Sequence, residues 1–227
     1  MIYIIGDSHV SVFSGTDKTH DGLRHIQPEF GTCYTLSGGS LRPHNVFEQK
    51  IPLFCPIKIG SNTAYNSIDK LPIIEQAIEE YKVKNSDHIF LCFGEIDIRN
   101  HIGENAEKMG ISISDSIKLC VDRYILTVLE LKGKGYKIGV YGPPASSVGW
   151  ASTYGYKDVF TRNRMTIKYN KYLAEKCLTN DVLYVDIAKE MMLANGDTDS
   201  RFIMDDIHPS QQAIPILIEK FKKITNG

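Results

Sequence analysis

The chain has 227 residues, and 26 Lys and Arg against 27 Asp and Glu give it a formal net charge of −1. Hydrophobic residues make up 42% and charged residues 23%, which argues against a disordered, collagen-like or coiled-coil chain and predicts one globular domain over 1–227. Without a basic excess to hold a phosphate backbone, the composition argues against nucleic acid as a partner.

Five short apolar runs predict β-strands, each followed within a few residues by glycine or polar residues. The runs are continuous rather than alternating, which is typical of parallel strands buried on both faces. They cover 2–5, 53–59, 89–93, 137–141 and 182–185.

Stretches with helical spacing of apolar residues separate the strands. The second of them has Ser114 or Asp115 as its expected N-cap and Gly133 as its expected stop. Strands that alternate with helices predict right-handed βαβ units, and hence an α/β domain. The predicted helices cover 71–83, 116–132, 163–177, 187–193 and 213–224.

Two long connections, 15–50 and 143–158, lack clear periodicity, and loops of this length within a domain are usually lids or mobile segments. The second contains Trp150, Tyr154 and Tyr156. These aromatic side chains either stack on a substrate or anchor the loop to the core, and both interpretations stay open.

Several features bear on the cellular setting. No apolar run approaches the roughly 18 residues of a membrane span, and no signal peptide is recognisable, so we expect a cytoplasmic protein. No pair of cysteines has a CxxC spacing, and no pair of histidines has a metal-ligand spacing on a helix. We therefore predict free thiols, no bound metal and no cofactor. The cysteines are Cys33, Cys55, Cys92, Cys120 and Cys177.

Polar segments follow the predicted strands, at the sheet edge where ligands bind in open α/β folds. They are 6–9 (Gly-Asp-Ser-His), 60–62 (Gly-Ser-Asn), 94–99 (Gly-Glu-Ile-Asp-Ile-Arg) and, before the last helix, 205–209 (Asp-Asp-Ile-His-Pro). Each alone is explained by turn or helix-start chemistry. No Gly-rich phosphate-binding loop is present, which argues against a nucleotide site.

Together these segments supply the parts of a nucleophilic site. Ser8 needs an adjacent imidazole to take its proton, and His208 is the candidate. An imidazole in this role needs a carboxylate on its other nitrogen, and Asp205 precedes His208 by three residues.

These residues resemble the motifs of the SGNH hydrolases, also called GDSL-like lipases and esterases. The matches are 6–8 (Gly-Asp-Ser), Gly60, Gly94-x-x-Asp97 and Asp205-x-x-His208, in the family's order along the chain. The resemblance implies a three-layer α/β/α sandwich, flavodoxin-like, with about five parallel strands.

The resemblance also implies roles. Ser8 is the nucleophile, His208 the base and later the acid, and Asp205 the residue that orients His208, with no metal involved. The oxyanion hole is assigned to the backbone N–H groups of Ser8 and Gly60 and to a side-chain amide of the third block.

The third block departs from the family pattern. Ile96 stands where the family has an asparagine, and it has no polar donor. The nearest substitutes in sequence are Asn62, which we take as the oxyanion-hole candidate, Asn100 and Arg99. Two other outcomes stay open: a slow enzyme, or a site that has changed to binding or acyl transfer.

Charged residues of the third block are candidates for substrate binding. Arg99 either binds a carboxylate or phosphate of the substrate or forms an internal ion pair with Glu95 or Asp97. Glu95 and Asp97 are included as substrate-binding candidates on the same reasoning. His9 either lines the pocket or has a structural role.

The residues and the resemblance together predict a serine esterase for a small acyl ester, and the resemblance to the family suggests an acetyl group on a carbohydrate as one such substrate. An O-acyltransferase with the same triad and a non-catalytic carbohydrate-binding domain are the alternatives. The expected partner is a small-molecule or carbohydrate ester, and the oligomeric state is not predicted.

Overall fold

A computed structural model of the chain describes residues 1–15, 51, 53–60, 62–146, 155–205 and 207–225, and the backbone alone of 32–37 and 40–45. The predicted apolar runs form a five-stranded, all-parallel sheet in the order β4-β1-β5-β6-β7. Its strands are β1 (Ile2–Gly6), β4 (Phe54–Lys58), β5 (His88–Cys92), β6 (Lys137–Tyr141) and β7 (Leu183–Val185). Each begins and ends within one residue of its predicted bounds.

The described helices lie between and after these strands. Longer helices are capped by side chains: Ser112 accepts a hydrogen bond from the Asp115 amide (3.1 Å) and Asp158 from the Thr161 amide (2.7 Å). The helices are α1 (Leu71–Glu80), α2 (Ile102–Met109), α3 (Ile113–Gly133), α4 (Val159–Thr179) and α5 (Ile214–Thr225). Short 3₁₀ turns cover Ser8–Ser14, Ser67–Lys70, Ser200–Phe202 and Gln211–Ala213.

Two separate apolar cores cover the two faces of the sheet. Successive strand residues point to opposite faces, so Ile5 and Leu91 join the core under α1, α3 and α4, whereas Ile4 and Phe90 join the core under the Ser8–Ser14 turn and α5. This arrangement confirms the predicted α/β fold with helices on both faces of a parallel sheet.

Phe221 of α5 is the centre of the second core. It is fully buried, and its ring lies 5.6 Å from Phe13, 5.1 Å from Phe54, 4.7 Å from Phe90 and 6.3 Å from Tyr141, measured between centroids. The first three contacts are edge-to-face, the arrangement that aromatic quadrupoles favour. These contacts attach α5 to the Ser8–Ser14 turn, β4, β5 and β6.

The predicted helix at 187–193 is wrong. These residues form one turn, with the Met191 amide donating to the Ile187 carbonyl, and Met192 then pairs with Thr198 in an antiparallel bridge. Gly196, with φ of +88°, reverses the chain between the bridge partners, and this tight reversal leaves no room for a second helical turn. The sequence also gave no prediction of α2, and α3 begins at Ile113 because its cap is Ser112 rather than Ser114 or Asp115.

The long 15–50 connection contains a two-stranded antiparallel sheet, which the sequence analysis treated as loop. Strand β2 (Thr32–Ser37) pairs with β3 (Ser40–Asn45), and Ser37 lies opposite Ser40. Gly38 and Gly39 separate the strands in the sequence, a two-residue spacing that is typical of hairpins. The sequence pattern of β3 is weak as a strand because it contains Pro43, which has no backbone N–H to donate.

No helix among the described residues is both long enough and apolar enough to cross a membrane.

We expect Phe221→Ala to lower the free energy of unfolding by about 3–5 kcal/mol, because it removes the ring at the centre of the second core and leaves a cavity. The matched control is Leu178→Ala, at a position that is 83% exposed, where we expect a change within about 0.5 kcal/mol. Urea denaturation followed by far-UV circular dichroism measures both. Equal effects at the two positions would contradict this assignment of the core.

Candidate active site

Ser8 lies at the carboxyl end of β1, an inner strand of the sheet, because of the two residues before it. Gly6 ends β1 beside Cys92 of β5, and a Cβ atom on Gly6 would lie 2.1 Å from the Cys92 carbonyl oxygen. Asp7 then caps the 3₁₀ turn by accepting a hydrogen bond from the His9 amide (2.9 Å). The strand therefore stops at Gly6, and Ser8 begins the turn, where its side chain is partly exposed.

Ser8, His208 and Asp205 come together as a linear hydrogen-bonded set. The Ser8 Oγ atom lies 2.7 Å from His208 Nε2, although 200 positions separate the residues in the chain. His208 Nδ1 lies 2.9 Å from Asp205 Oδ2 and 3.0 Å from Asp205 Oδ1. Because a carboxylate faces Nδ1, the neutral imidazole carries its proton there and leaves Nε2 to accept the serine proton.

A tight reversal presents Asp205 and His208 to the strand edge. The Met204 amide donates to the His208 carbonyl (2.9 Å), and Ile203 pairs with Pro209 in an antiparallel bridge. Gln211 Nε2 donates to the carbonyl of Val12 (2.9 Å), which joins this segment to the turn that carries Ser8.

The Asp205 carboxylate is held in its charged form. Its half-buried position raises the pKa, but hydrogen bonds from the His208 ring and from the amides of His208 and Ile207 more than offset this, so the pKa of Asp205 lies below its usual value. A carboxylate that stays ionised stabilises the imidazolium that forms when His208 takes a proton.

Gly60 and the Ser8 amide lie at the same edge of the sheet. The Ile59 amide donates to the Gly6 carbonyl (2.9 Å), which brings the chain after β4 beside the start of the Ser8 turn. Gly60 has φ of +99°, a backbone conformation that side-chain-bearing residues rarely adopt. Neither amide donates to another described backbone group, so both are available to a ligand.

Asp97 lines the cavity described below, but its carboxylate is held by protein donors, which favours a structural role over its predicted role in substrate binding. Its carboxylate is fully buried and accepts hydrogen bonds from the amides of Ala64 (2.7 Å) and Tyr65 (3.2 Å) and from the Cys120 thiol (3.4 Å). Burial raises the pKa of Asp97 even though these donors lower it. Asp97 therefore holds the loop after Gly60 against the third block.

Arg99 and Glu95 form the internal ion pair that the sequence left as an alternative. Arg99 Nε lies 2.7 Å from Glu95 Oε1, and Arg99 Nη2 lies 3.2 Å from Glu95 Oε2. The Glu95 carboxylate is buried, whereas the Arg99 side chain retains 15% exposure. This placement favours a structural role for Glu95 and leaves one edge of the Arg99 guanidinium accessible.

Asn62 has an amide without a protein partner. Its side chain is 8% exposed and makes no hydrogen bond to another described residue. It follows Gly60 by two positions and lies in the loop that Asp97 fixes. An amide that is nearly enclosed and unpaired is suited to donate to a ligand.

His9, which the sequence left between lining the pocket and a structural role, is buried behind the triad. His9 is buried between two carboxylates, with Nδ1 2.9 Å from Asp7 Oδ1 and Nε2 3.6 Å from Glu95 Oε2. Its ring centroid lies 5.0 Å from that of His208. The only sequence signal was that His9 directly follows the nucleophile.

A cavity of about 310 Å³ lies between the loop after Asn62 and helices α2 and α3. Its lining combines side-chain amides and hydroxyls with exposed apolar groups. Among the lining residues are Thr63, Tyr65, Asn66, Asn105, Met109 and Leu119.

Three further predictions concern the aromatic residues of the 143–158 connection, metal binding and the cysteines. Tyr156 anchors its segment, since its amide donates to the Arg99 carbonyl (2.6 Å) and its hydroxyl to Glu107 (2.8 Å). Trp150 and Tyr154 lie outside the described residues. Within the described ranges no group of three or more potential ligands is arranged to hold a metal, and Cys92, Cys120 and Cys177 are free thiols.

Neither the protein-family models nor the curated proteins include a match to this chain. Solved structures do match it. A GDSL-like lipase from Bacteroides thetaiotaomicron aligns with a TM-score of 0.61 at 11% identity, over 99% of this chain and 87% of that one. A catalytic mutant of the acetylxylan esterase Axe2 from Geobacillus stearothermophilus aligns with a TM-score of 0.55 at 14% identity, over 99% and 93%.

A third structure, the acetyl xylan esterase AlAXEase, aligns with a TM-score of 0.54 at 14% identity, over 98% of both chains. Identities this low carry information on the fold and not on the substrate. The matches extend over almost the whole chain. The chain therefore has the fold of the SGNH hydrolases, the superfamily of the GDSL-like lipases and acetylxylan esterases.

Proposed function

We propose that the protein is a serine esterase that uses Ser8, His208 and Asp205. The observation that carries the proposal is the 2.7 Å contact between Ser8 Oγ and His208 Nε2, with the Asp205 carboxylate on the opposite nitrogen. A serine that only stabilised a turn would not need an oriented imidazole, and a binding domain would gain nothing from this contact.

In the first half-reaction, Ser8 Oγ attacks the ester carbonyl carbon while its proton moves to His208 Nε2. The carbonyl oxygen becomes an oxyanion, and the amides of Ser8 and Gly60 are positioned at the strand edge to donate to it. The tetrahedral intermediate then collapses, and His208 returns the proton to the departing alcohol. An acyl group remains on Ser8.

In the second half-reaction, water takes the place of the alcohol. His208 removes a proton from the water as it attacks the acyl carbon, and then protonates Ser8 Oγ as the carboxylic acid leaves. Transfer to a sugar hydroxyl in place of water uses the same residues. An acyltransferase is therefore distinguished by its acceptor and not by its triad.

We propose a small acyl group, acetyl in particular, carried on a carbohydrate. Two of the solved structures with this fold, Axe2 and AlAXEase, are acetylxylan esterases. The 310 Å³ cavity after the Asn62 loop is a candidate for a more distant part of the substrate, since its lining combines the polar side chains of Asn66 and Asn105 with the exposed ring of Tyr65.

We expect the wild-type protein to hydrolyse p-nitrophenyl acetate and Ser8→Ala to lose at least about 10³-fold in kcat, because the nucleophile is absent. Ser11→Ala is the matched control, since Ser11 lies in the same turn and its buried hydroxyl has no partner among the described residues. Release of p-nitrophenol at 405 nm measures all three rates.

Equal rates for the wild type and Ser8→Ala would show an inactive serine and favour the binding domain. Addition of an acetylated xylooligosaccharide and of a free sugar acceptor separates hydrolysis from transfer. Free acetate as the main product supports the esterase, whereas acetylated acceptor as the main product supports the acyltransferase.

We expect Asn62→Ala to lower kcat by about 10²–10³ with a smaller change in KM, because its amide is the candidate for the third oxyanion donor that Ile96 does not provide. Asn100→Ala tests the other asparagine near the third block and should leave kcat within about threefold. Steady-state kinetics with p-nitrophenyl acetate measure both variants. A normal kcat for Asn62→Ala would show that this amide does not contact the oxyanion.

A further inference from the structure

We propose that His9 is a positioning residue: a buried imidazolium, held between the carboxylates of Asp7 and Glu95, that packs against His208 and sets the pH at which His208 can act as a base. This inference rests on the proposed esterase function.

The contacts of the His9 ring favour its doubly protonated form. Nδ1 lies 2.9 Å from Asp7 Oδ1, and Nε2 lies 3.6 Å from Glu95 Oε2. The first contact is a hydrogen bond and the second is a Coulombic contact, because Nε2 has no hydrogen-bond partner among the described residues. A neutral ring would direct a nitrogen lone pair at one of the two carboxylates, whereas the imidazolium presents an N–H to each.

Three charged groups act directly on His9. Asp7 and Glu95 contribute two negative charges, and Arg99, paired with Glu95 at 2.7 Å, contributes one positive charge. A protonated His9 makes this inner group neutral, and the buried Arg162 guanidinium of α4 interacts with Glu95 and Arg99 but is not among the charges that shift the pKa of His9. The Cys92 thiol adds no charge, since burial raises its pKa well above the ordinary value.

The electrostatic environment of His9 agrees with this assignment. Burial alone lowers the pKa of His9, but the carboxylates of Asp7 and Glu95 more than offset that effect, and the repulsion from Arg99 is smaller. The pKa of His9 therefore lies above its ordinary value in the folded protein. Its contribution to stability is complete below about pH 6.5 and is lost as the pH rises through the folded-state value.

A change in the charge of His9 acts on His208, because the two rings pack against each other. The two ring centroids lie 5.0 Å apart, with the planes inclined at 41°. Among the described residues, Asp205 also contacts the His208 ring, at Nδ1. With His9 charged, the group behind His208 is neutral, and protonation of His208 is not favoured by a nearby excess of negative charge. Loss of the His9 charge would favour the protonated, inactive form of the base.

Three variants test the effect of the His9 charge on His208. The two single variants change the net charge of the group in opposite directions, and the double variant restores it. His9→Gln leaves one excess negative charge, and we expect the acid limb of the kcat/KM–pH profile to move up by roughly one to two pH units. Glu95→Gln removes a negative charge, and its acid limb should stay in place or move down. The double variant restores neutrality, so its acid limb should return to within about half a unit of the wild-type position.

A purely structural role for His9 predicts a different pattern, in which the double variant is at least as perturbed as either single variant. An unchanged acid limb in His9→Gln, or no return in the double variant, would overturn the proposal. Circular dichroism and thermal unfolding of each variant identify any that fails to fold.

The wild-type protein provides a readout that needs neither a variant nor an activity. In protein labelled with ¹⁵N-histidine, we expect both ring nitrogens of His9 to give the shifts of protonated nitrogens at pH 7, with the resonance assigned from His9→Gln. A non-protonated ring nitrogen at that pH would overturn the imidazolium. An imidazolium in a protein without esterase activity would instead contradict the proposed function alone.

Discussion

The hydrogen bond between Ser8 and His208 is the interaction on which the proposed chemistry depends, and the fold must supply it. It joins residues 200 positions apart, so both ends of the chain must be fixed on the sheet before it can form. Gly6 and the Asp7 cap fix one end by stopping β1 beside Cys92. Phe221 fixes the other by attaching α5 to the same core. The apolar cores thus determine the position of the reactive atoms, and the polar residues determine their orientation.

The departure at Ile96 is connected with a different use of the third block. Glu95, beside Ile96, contacts His9 on one side and binds Arg99 on the other, and Asp97 holds the loop that follows Gly60. The block therefore organises charge behind the triad and positions the loop of Asn62, instead of presenting an amide of its own. In our account the missing donor comes from the neighbouring loop, and the third block tunes the catalytic base.

Much of the fold could be predicted from the sequence because buried parallel strands leave a direct signal, a continuous apolar run that ends at glycine or polar residues. The prediction of a helix over 187–193 was wrong because the apolar residues of a single turn have the same spacing as those at the start of a helix. The chain reversal at Gly196 distinguishes the turn from a helix. The grouping of Ser8, Asp205 and His208 followed from motif spacing and strand order. The roles of His9, Gln211 and Asp97 depend on contacts between distant segments, and no local pattern encodes them.

The most direct test of the central claim is whether Ser8 is activated. Treatment with a fluorophosphonate, followed by intact-protein and peptide mass spectrometry, reports this without knowledge of the natural ester. The account predicts a single adduct on the peptide that contains Ser8, which persists in Ser11→Ala and is lost in Ser8→Ala and greatly slowed in His208→Ala. A wild-type protein that stays unlabelled, or an adduct that forms equally fast without His208, would contradict it.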